Sequence, residues 1–129
     1  MERQTVETII RKFNEAGVRY LIAGGFAVIA HGYTRLTMDL DLVLDLDPQN
    51  ALKALEVLKS EGYGPKIPVP IEQFADAQLR EDWVENRNMV AFPLWSEQHR
   101  MTGIDLFVNE PFDFERAFAD RFTAGLAPN

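Results

Sequence analysis

The chain has 129 residues, of which 47% are hydrophobic and 26% are charged, as in an ordinary globular domain with one core. Its net charge of −7 argues against a broad basic face that would bind nucleic acid regardless of base sequence. The absence of cysteine excludes disulfide bonds and thiolate metal sites.

Nothing in the sequence divides the chain or directs it to a membrane. We find no repeat, low-complexity stretch or linker, which predicts a single domain over residues 1–129. The N-terminal segment is polar and charged, unlike a signal peptide, and no apolar run reaches membrane-spanning length. We therefore expect a cytoplasmic protein with no membrane partner.

The first predicted elements are a helix and a short strand. Apolar residues recur at helical spacing over residues 5–16, which predicts an amphipathic helix with one buried face. Gly17 follows and is expected to end that helix. The apolar run over residues 20–23 then predicts a buried strand.

A glycine pair, Gly24 and Gly25, follows this strand and precedes a short helix predicted over residues 26–31. Without a Cβ atom, glycine lets the backbone come close to a ligand. The N–H groups of the pair would lie at the start of the helix, where free donors and the positive end of the helix dipole favour a phosphate. The pair is therefore a candidate phosphate-binding turn.

A second strand is predicted over residues 39–47 by strict alternation, which places Asp39 and Asp41 side by side on one face. The opposite face carries Leu40, Leu42, Leu44 and Leu46. Neighbouring carboxylates repel unless a cation lies between them, and their hard oxygens suit Mg²⁺. An isolated Asp-x-Asp would favour a solvated acidic strand, but the glycine turn just before it favours a nucleotide site.

Arg35 and Thr37 lie directly before the two aspartates in the sequence. If the strand extends back through them, they share the face of Asp39 and Asp41 by the two-residue period. An arginine there could hold triphosphate oxygens in a bidentate fork. It could equally balance the charge of the acidic strand, and the sequence leaves both interpretations open.

Capping aspartates predict two further helices. Asp47 followed by Pro48 is a helix start, so Asp47 is better interpreted as a cap than as a metal ligand, and Gly62 is expected to end that helix. Asp113 starts a helix predicted over residues 113–122. The apolar stripe of the helix after Pro48 is predicted to contain Ala51, Leu52, Leu55 and Leu58.

The segment between these helices is harder to assign. Three prolines within residues 64–70 predict a loop or an edge strand, because proline cannot donate to a central ladder. Residues 71–85 are helical by pattern, with the charged residues Asp76 and Arg80 expected at the surface, and a flexible flap is the alternative to a fixed helix. The candidate inward residues are Ile71, Phe74, Leu79 and Trp83.

Residues 89–95 and 102–108 predict an antiparallel pair of strands, and Asp105 is the lone acid among apolar residues of the second strand. A carboxylate inside a core strand is costly unless it is paired, hydrogen-bonded or metal-bound. If this strand lies beside that of Asp39 and Asp41, Asp105 completes a cluster of three carboxylates. The alternative is a carboxylate at the exposed face or one bonded to arginine or backbone, but with the other two acids in place the cluster is favoured.

Together, the glycine pair, the phrase Arg-x-Thr-x-Asp-x-Asp over residues 35–41 and the lone Asp105 resemble the nucleotidyltransferase superfamily related to DNA polymerase beta. The local sequence around these motifs is most similar to the small bacterial group that includes lincosamide nucleotidyltransferases and the nucleotidyltransferase toxins of abortive-infection systems. The resemblance covers residues 20–46 and extends loosely to residue 108. It implies an α+β fold, with a mixed β-sheet flanked by helices and the acids at one end.

The resemblance also implies a chemistry. A nucleoside monophosphate would move from a nucleoside triphosphate to an acceptor hydroxyl on a small molecule, protein or RNA, and pyrophosphate would leave. Two Mg²⁺ ions, or Mn²⁺, would hold the triphosphate, and Asp105 would also help deprotonate the acceptor. The implied metal ligands and catalytic residues are Asp39, Asp41 and Asp105, and the implied nucleotide contacts are Gly24, Gly25, Arg35 and Thr37.

One departure from the family pattern leaves an alternative open. Many active relatives carry a further C-terminal helical domain, whereas only residues 106–129 follow Asp105 here. A second subunit in a homodimer could supply the missing wall, or the acceptor could be macromolecular. The alternative is a non-catalytic or partner-dependent component of a toxin–antitoxin system.

Overall fold

The structure, a computed structural model, describes residues 2–23 and 39–120. The helices are α1 (Arg3–Ala16), α2 (Pro48–Ser60), α3 (Ala77–Arg87) and α4 (Phe114–Ala119), with a 3-10 turn over Ile71–Ala75. The strands are β1 (Tyr20–Ile22), β2 (Leu40–Leu44), β3 (Tyr63–Pro65), β4 (Ala91–Ser96) and β5 (Ile104–Phe107). Within the described ranges, no helix combines the length and apolar character needed to cross a membrane.

The five strands form one mixed sheet in the order β1-β2-β5-β4-β3. Strands β2 and β5 pair in parallel, and the other three pairings are antiparallel. The predicted α+β architecture, with helices flanking a mixed sheet, is thereby confirmed, as is the antiparallel pairing of β4 with β5. The proline-rich segment begins as the edge strand β3, where a missing N–H donor is tolerated.

The larger part of the core lies on one face of the sheet. Alternate side chains of β2 and β5 point into it and meet the apolar faces of α1 and α2. The predicted face of α1 is confirmed, and Gly17 ends that helix in the left-handed conformation with φ 73°. The buried residues that best represent this core are Ile9, Phe13, Leu40, Leu42, Leu55, Leu58, Ile104 and Leu106.

The opposite face of the sheet has a smaller apolar cluster, in which Leu21 and Val43 pack against Phe114 of α4. The alternation predicted for β2 is therefore correct, since its leucines and Val43 enter different clusters. Asp41 and Asp105 belong to this second face, because they alternate with the core leucines of their strands. The second face of the sheet therefore carries the acidic side chains that are candidates for function.

The helix starts predicted from aspartate are confirmed. Asp47 accepts hydrogen bonds from the N–H groups of Gln49 and Asn50 at the start of α2, and Asp113 caps α4. The assignment of Leu52 to the buried stripe of α2 is wrong, because its side chain is 45% exposed. Ala54 takes that place, since the helical period of 3.6 residues turns Leu52 toward solvent.

The single helix predicted over residues 71–85 is also wrong. Asp76 separates the 3-10 turn from α3 and caps α3 by accepting from the N–H groups of Gln78 and Leu79. Arg80, expected at the surface, is only 6% exposed. Its guanidinium donates to the carbonyl of Phe74 and lies over that ring, 5.5 Å from the centroid.

Candidate functional site

The parallel pairing of β2 with β5 brings two acidic side chains together. In its register Asp41 is the partner of Asp105, between the pairs of Leu40 with Ile104 and Leu42 with Leu106. Neighbouring strands lie about 4.8 Å apart and paired residues project to the same side, so the two carboxyl groups are neighbours on the second face. The predicted adjacency of these strands is confirmed.

Backbone hydrogen bonds fix Asp41 from both sides. The Ala23 N–H donates to the carbonyl of Asp41 at 2.8 Å, and the Leu40 N–H donates to the carbonyl of Gly103 at 2.8 Å. The first bond joins β2 to the end of β1, and the second joins β2 to the residue before β5. Because both neighbours hold the strand, the position of Asp41 relative to Asp105 depends on the sheet and not on a loop.

Asp39 occupies space that Gly103 leaves free. It immediately precedes β2, and the register of β2 with β5, continued back by one residue, places it opposite Gly103. A Cβ atom built on Gly103 would collide with the Oδ1 atom of Asp39. The Asp39 carboxyl also hydrogen-bonds that of Asp105, so all three acids meet at one end of the parallel pair.

Burial and mutual repulsion change how these acids ionise. Burial raises the pKa of Asp105 to about 7, helped by the hydrogen bond with Asp39 and by the charges of Asp39 and Asp41. The charge of Lys66 acts in the opposite direction. Burial, followed by the charge of Asp39, likewise raises the pKa of Asp41. Among the residues that the structure describes, the cluster is therefore short of positive charge.

The donor set fits a hard divalent cation. Carboxylate oxygens are the ligands that Mg²⁺ and Mn²⁺ prefer, and a cation among them would relieve the repulsion that raises the pKa of Asp105. Within residues 2–23 and 39–120, no three acidic or histidine side chains form a ready-made metal cage. In the ligand-free protein the Asp39 and Asp105 carboxyl groups contact each other instead, an interaction that a bound cation would replace.

The other aspartates near β2 have structural roles. Asp45 forms an ion pair with Arg19, with 2.8 Å between its Oδ2 atom and the arginine Nε atom, and it accepts from the N–H of Asp47. Asp47 caps α2, as predicted. The four predicted nucleotide contacts, Gly24, Gly25, Arg35 and Thr37, lie outside the described residues.

Sequence reasoning missed two residues of this site, Gly103 and Lys66. Gly103 was treated only as part of an apolar strand, and Lys66 as part of a proline-rich loop. The Lys66 N–H donates to the carbonyl of Pro93 at 2.9 Å, and Pro93 is the β4 partner of Asp105. Asp41, Asp105, Pro93 and Lys66 therefore follow one another in a row across the sheet. Each could be recognised only once the strand order was known.

Two clefts of the described structure lie away from the acids. One of about 390 Å³ lies beside Arg80 and Val108, and another of about 480 Å³ lies beside Arg19 and Lys53. Neither is lined by Asp39, Asp41 or Asp105. The carboxyl cluster is the better candidate of the three on chemical grounds, because it brings together the hard oxygen ligands that a divalent cation needs.

No protein-family model matches the chain, and neither does any curated protein or any solved structure. Function is therefore inferred from the carboxyl cluster and its surroundings. A cluster of this kind, on one end of a rigid parallel pair, can hold a divalent cation, bind a polyphosphate through that cation, and accept a proton near neutral pH.

Proposed function

We propose that this chain is a metal-dependent nucleotidyltransferase. It would transfer a nucleoside monophosphate from a nucleoside triphosphate to an acceptor hydroxyl and release pyrophosphate. The observation that carries the proposal is the pairing of Asp41 with Asp105, with the Asp39 carboxyl hydrogen-bonded to Asp105. Phosphoryl transfer depends mainly on positioning and charge neutralisation, and three carboxyls on one rigid edge can supply both through metal ions.

In this proposal Asp39, Asp41 and Asp105 hold the metal ions, Mg²⁺ or Mn²⁺. When bound, the ions neutralise the triphosphate and the charge that develops on its oxygens during transfer. Within the described residues three half-buried carboxyls repel one another and Lys66 only partly compensates, which is the reason to expect such a charge here. Gly24, Gly25, Arg35 and Thr37 complete the proposed site as phosphate contacts.

Asp105 has a second proposed role, as the acceptor of a proton. The acceptor oxygen attacks the α-phosphorus, the bond to pyrophosphate breaks, and the hydroxyl proton passes to the Asp105 carboxylate. A cation bound at the cluster would relieve the repulsion that raises the pKa of Asp105 in the ligand-free protein, so Asp105 would take the proton from its ionised form.

The proposal is tested by calorimetric titration of ATP, GTP, CTP and UTP into the protein, with and without Mg²⁺. We expect one or more triphosphates to bind only with Mg²⁺, and Asp39→Asn to weaken that binding by at least about tenfold, as lost metal contacts generally do. Asp82→Asn is the matched control, because Asp82 is an exposed aspartate on α3. Transfer is then assayed as pyrophosphate release in the presence of candidate acceptors.

Two results would contradict the proposal. The first is the absence of Mg²⁺-dependent binding for all four triphosphates. The second is full binding in both Asp39→Asn and Asp105→Asn, since the acids would then have no part in holding the metal. Either result would favour the non-catalytic alternative, and a stable protein partner should then co-purify with the chain.

A further inference from the structure

Trp95 is a feature that the proposed metal chemistry does not use. It lies in β4 and is 43% exposed, whereas the residues on either side of it, Leu94 and Ser96, are fully buried. Trp83, the other tryptophan, is only 5% exposed and stacks on Phe92 with 5.2 Å between ring centroids. The indole of Trp83 therefore packs in the core, whereas that of Trp95 exposes a large apolar surface to solvent.

Trp95 lies on the same face of the sheet as the acids. Pro93 is the partner of Asp105 in the pairing of β4 with β5, and Trp95 follows Pro93 by two residues, so their side chains project to the same side. From the strand spacing and the rise per residue, Trp95 is on the order of 10 Å from Asp105. A nucleotide separates its phosphate from its base by the length of one sugar, which suits this spacing.

The neighbours of Trp95 leave its ring accessible. Its partner in β3 is Gly64, where an added Cβ atom would meet nothing within 4 Å. Continuing the register of β4 with β5 by one residue puts Gly103 on the other side. Trp95 is thus bordered on both neighbouring strands by glycines, and within the described residues it stacks on no other ring. On the Gly64 side a flat ligand could lie on the indole without displacing a side chain, whereas the space at Gly103 holds the Asp39 carboxyl.

We propose that Trp95 is the platform on which the base of the nucleoside triphosphate stacks while its phosphates reach the acid cluster. This inference rests on the proposed function and adds the group that holds the base. Stacking is tolerant of base identity, because every base has a π face, so it predicts a site that binds several nucleoside triphosphates. Lys66 follows β3 directly and lies in the same row across the sheet as Pro93 and Asp105, where it can contact the phosphates.

The test compares a nucleoside triphosphate with inorganic tripolyphosphate, which has the phosphates but no base. Both are titrated with Mg²⁺ into the wild-type protein, Trp95→Ala and Trp95→Phe. We expect Trp95→Ala to lower the affinity for the nucleoside triphosphate about tenfold, as loss of one base–aromatic stack does, and to leave the affinity for tripolyphosphate unchanged. Trp95→Phe should retain most of the affinity, and the exposed Val90→Ala should behave as wild type.

The possible failures are distinguishable. If the wild type binds neither probe, the proposed function and the base platform are both overturned. If the wild type binds the nucleoside triphosphate and Trp95→Ala binds it equally well, only the platform is overturned. An equal loss for both probes in Trp95→Ala would also overturn the platform, because Trp95 would then support the sheet and not the base. Melting temperatures identify any variant that fails to fold.

Discussion

Replacing Asp105 with asparagine should stabilise the ligand-free protein at alkaline pH, although the residue lies inside a strand. Asparagine has nearly the same shape as aspartate and carries no charge. In Asp105→Asn the repulsion from Asp39 and Asp41 is removed, and a half-buried carboxylate no longer has to be kept from water.

The direction and size follow from the pKa of Asp105, which rises from an ordinary 3.8 to about 7 in the folded protein. Between these values the folded state holds a proton that the unfolded state has released, so the free energy of unfolding falls as pH rises through this window. Each pKa unit is worth about 1.4 kcal/mol, which sets a ceiling of about 4 kcal/mol. Solvent screening of a half-buried group reduces this to about 1–2 kcal/mol.

The assay is urea unfolding of the wild type and Asp105→Asn at pH 5 and pH 8. At pH 8 the variant should be more stable by about 1–2 kcal/mol, and at pH 5, where wild-type Asp105 is protonated, the two should nearly coincide. Added Mg²⁺ should stabilise the wild type and leave the variant unchanged. Asp82→Asn serves as the control. A variant no more stable than wild type at pH 8 would refute the electrostatic account of the cluster.

Three further substitutions test particular contacts. Gly103→Ala should displace the Asp39 carboxyl and so weaken Mg²⁺-dependent tripolyphosphate binding without changing any charge. In the control Gly64→Ala the new methyl group meets only open space, so binding should be unchanged. Calorimetry measures the affinity of both variants. Asn50→Ala should cost about 2–3 kcal/mol in urea unfolding, because Asn50 is buried and its loss would remove the side-chain partner of the Arg19 N–H and of the Asp45 carbonyl. Asp47→Ala should cost about 1 kcal/mol in the same assay, the usual value of a helix cap.

Local patterns predicted the elements whose cause is local. The cap at Asp47 depends on a side chain and the two N–H groups that follow it, and the end of α1 depends on the conformational freedom of Gly17. The alternation of β2 specified both of its faces, because strand side chains alternate whatever the neighbouring strands are. These interactions span only a few residues, so the sequence contains all the information they need.

The errors arose where distant parts of the chain compete with a local pattern. Arg80 is charged, and charge alone predicts exposure, yet the Phe74 carbonyl and ring provide a buried partner for its guanidinium. Asp76 was assigned to the middle of a helix, but its side chain caps a new one, a role that aspartate performs better than an internal helical position. Leu52 was assigned by hydrophobicity, although the helical period turned it outward.

The candidate site could be predicted only in part. Periodicity predicted the faces of Asp41 and Asp105. Their meeting depends on which strands pair, and the sequence indicated that pairing only indirectly, through a lone acid in an apolar strand and the two acids already in place. Gly103, Lys66 and Trp95 were missed because each acquires its role from the register across the sheet. A glycine that makes room for a carboxylate, or a tryptophan bordered by glycines, cannot be distinguished in a single strand from an ordinary one.

Glu61 provides the contrast that separates a structural acid from a site acid. Burial alone raises the pKa of Glu61, but its contacts with Lys12 and His99 outweigh burial and hold that pKa below its ordinary value. Its Oε1 atom lies 2.9 Å from Nε2 of His99. Glu61 therefore has Lys12 as a positive partner and His99 as a hydrogen-bond partner. Within the described residues, the Asp39, Asp41 and Asp105 cluster has only the partial compensation of Lys66.

This contrast predicts substitutions of opposite sign. Glu61→Gln should destabilise the protein by about 1–2 kcal/mol at pH 7, because Lys12 and His99 lose a charged partner. This destabilisation should shrink as the pH falls below about 4.5, where the wild-type carboxylate begins to be protonated. Asp105→Asn should instead stabilise at the same pH. Stabilisation by Mg²⁺ should survive Glu61→Gln and vanish in Asp105→Asn, as urea unfolding of both variants with and without Mg²⁺ would measure. If both substitutions destabilised the protein and both variants were still stabilised by Mg²⁺, Asp105 would be another structural acid, and the proposal that the cluster binds a cation would be wrong.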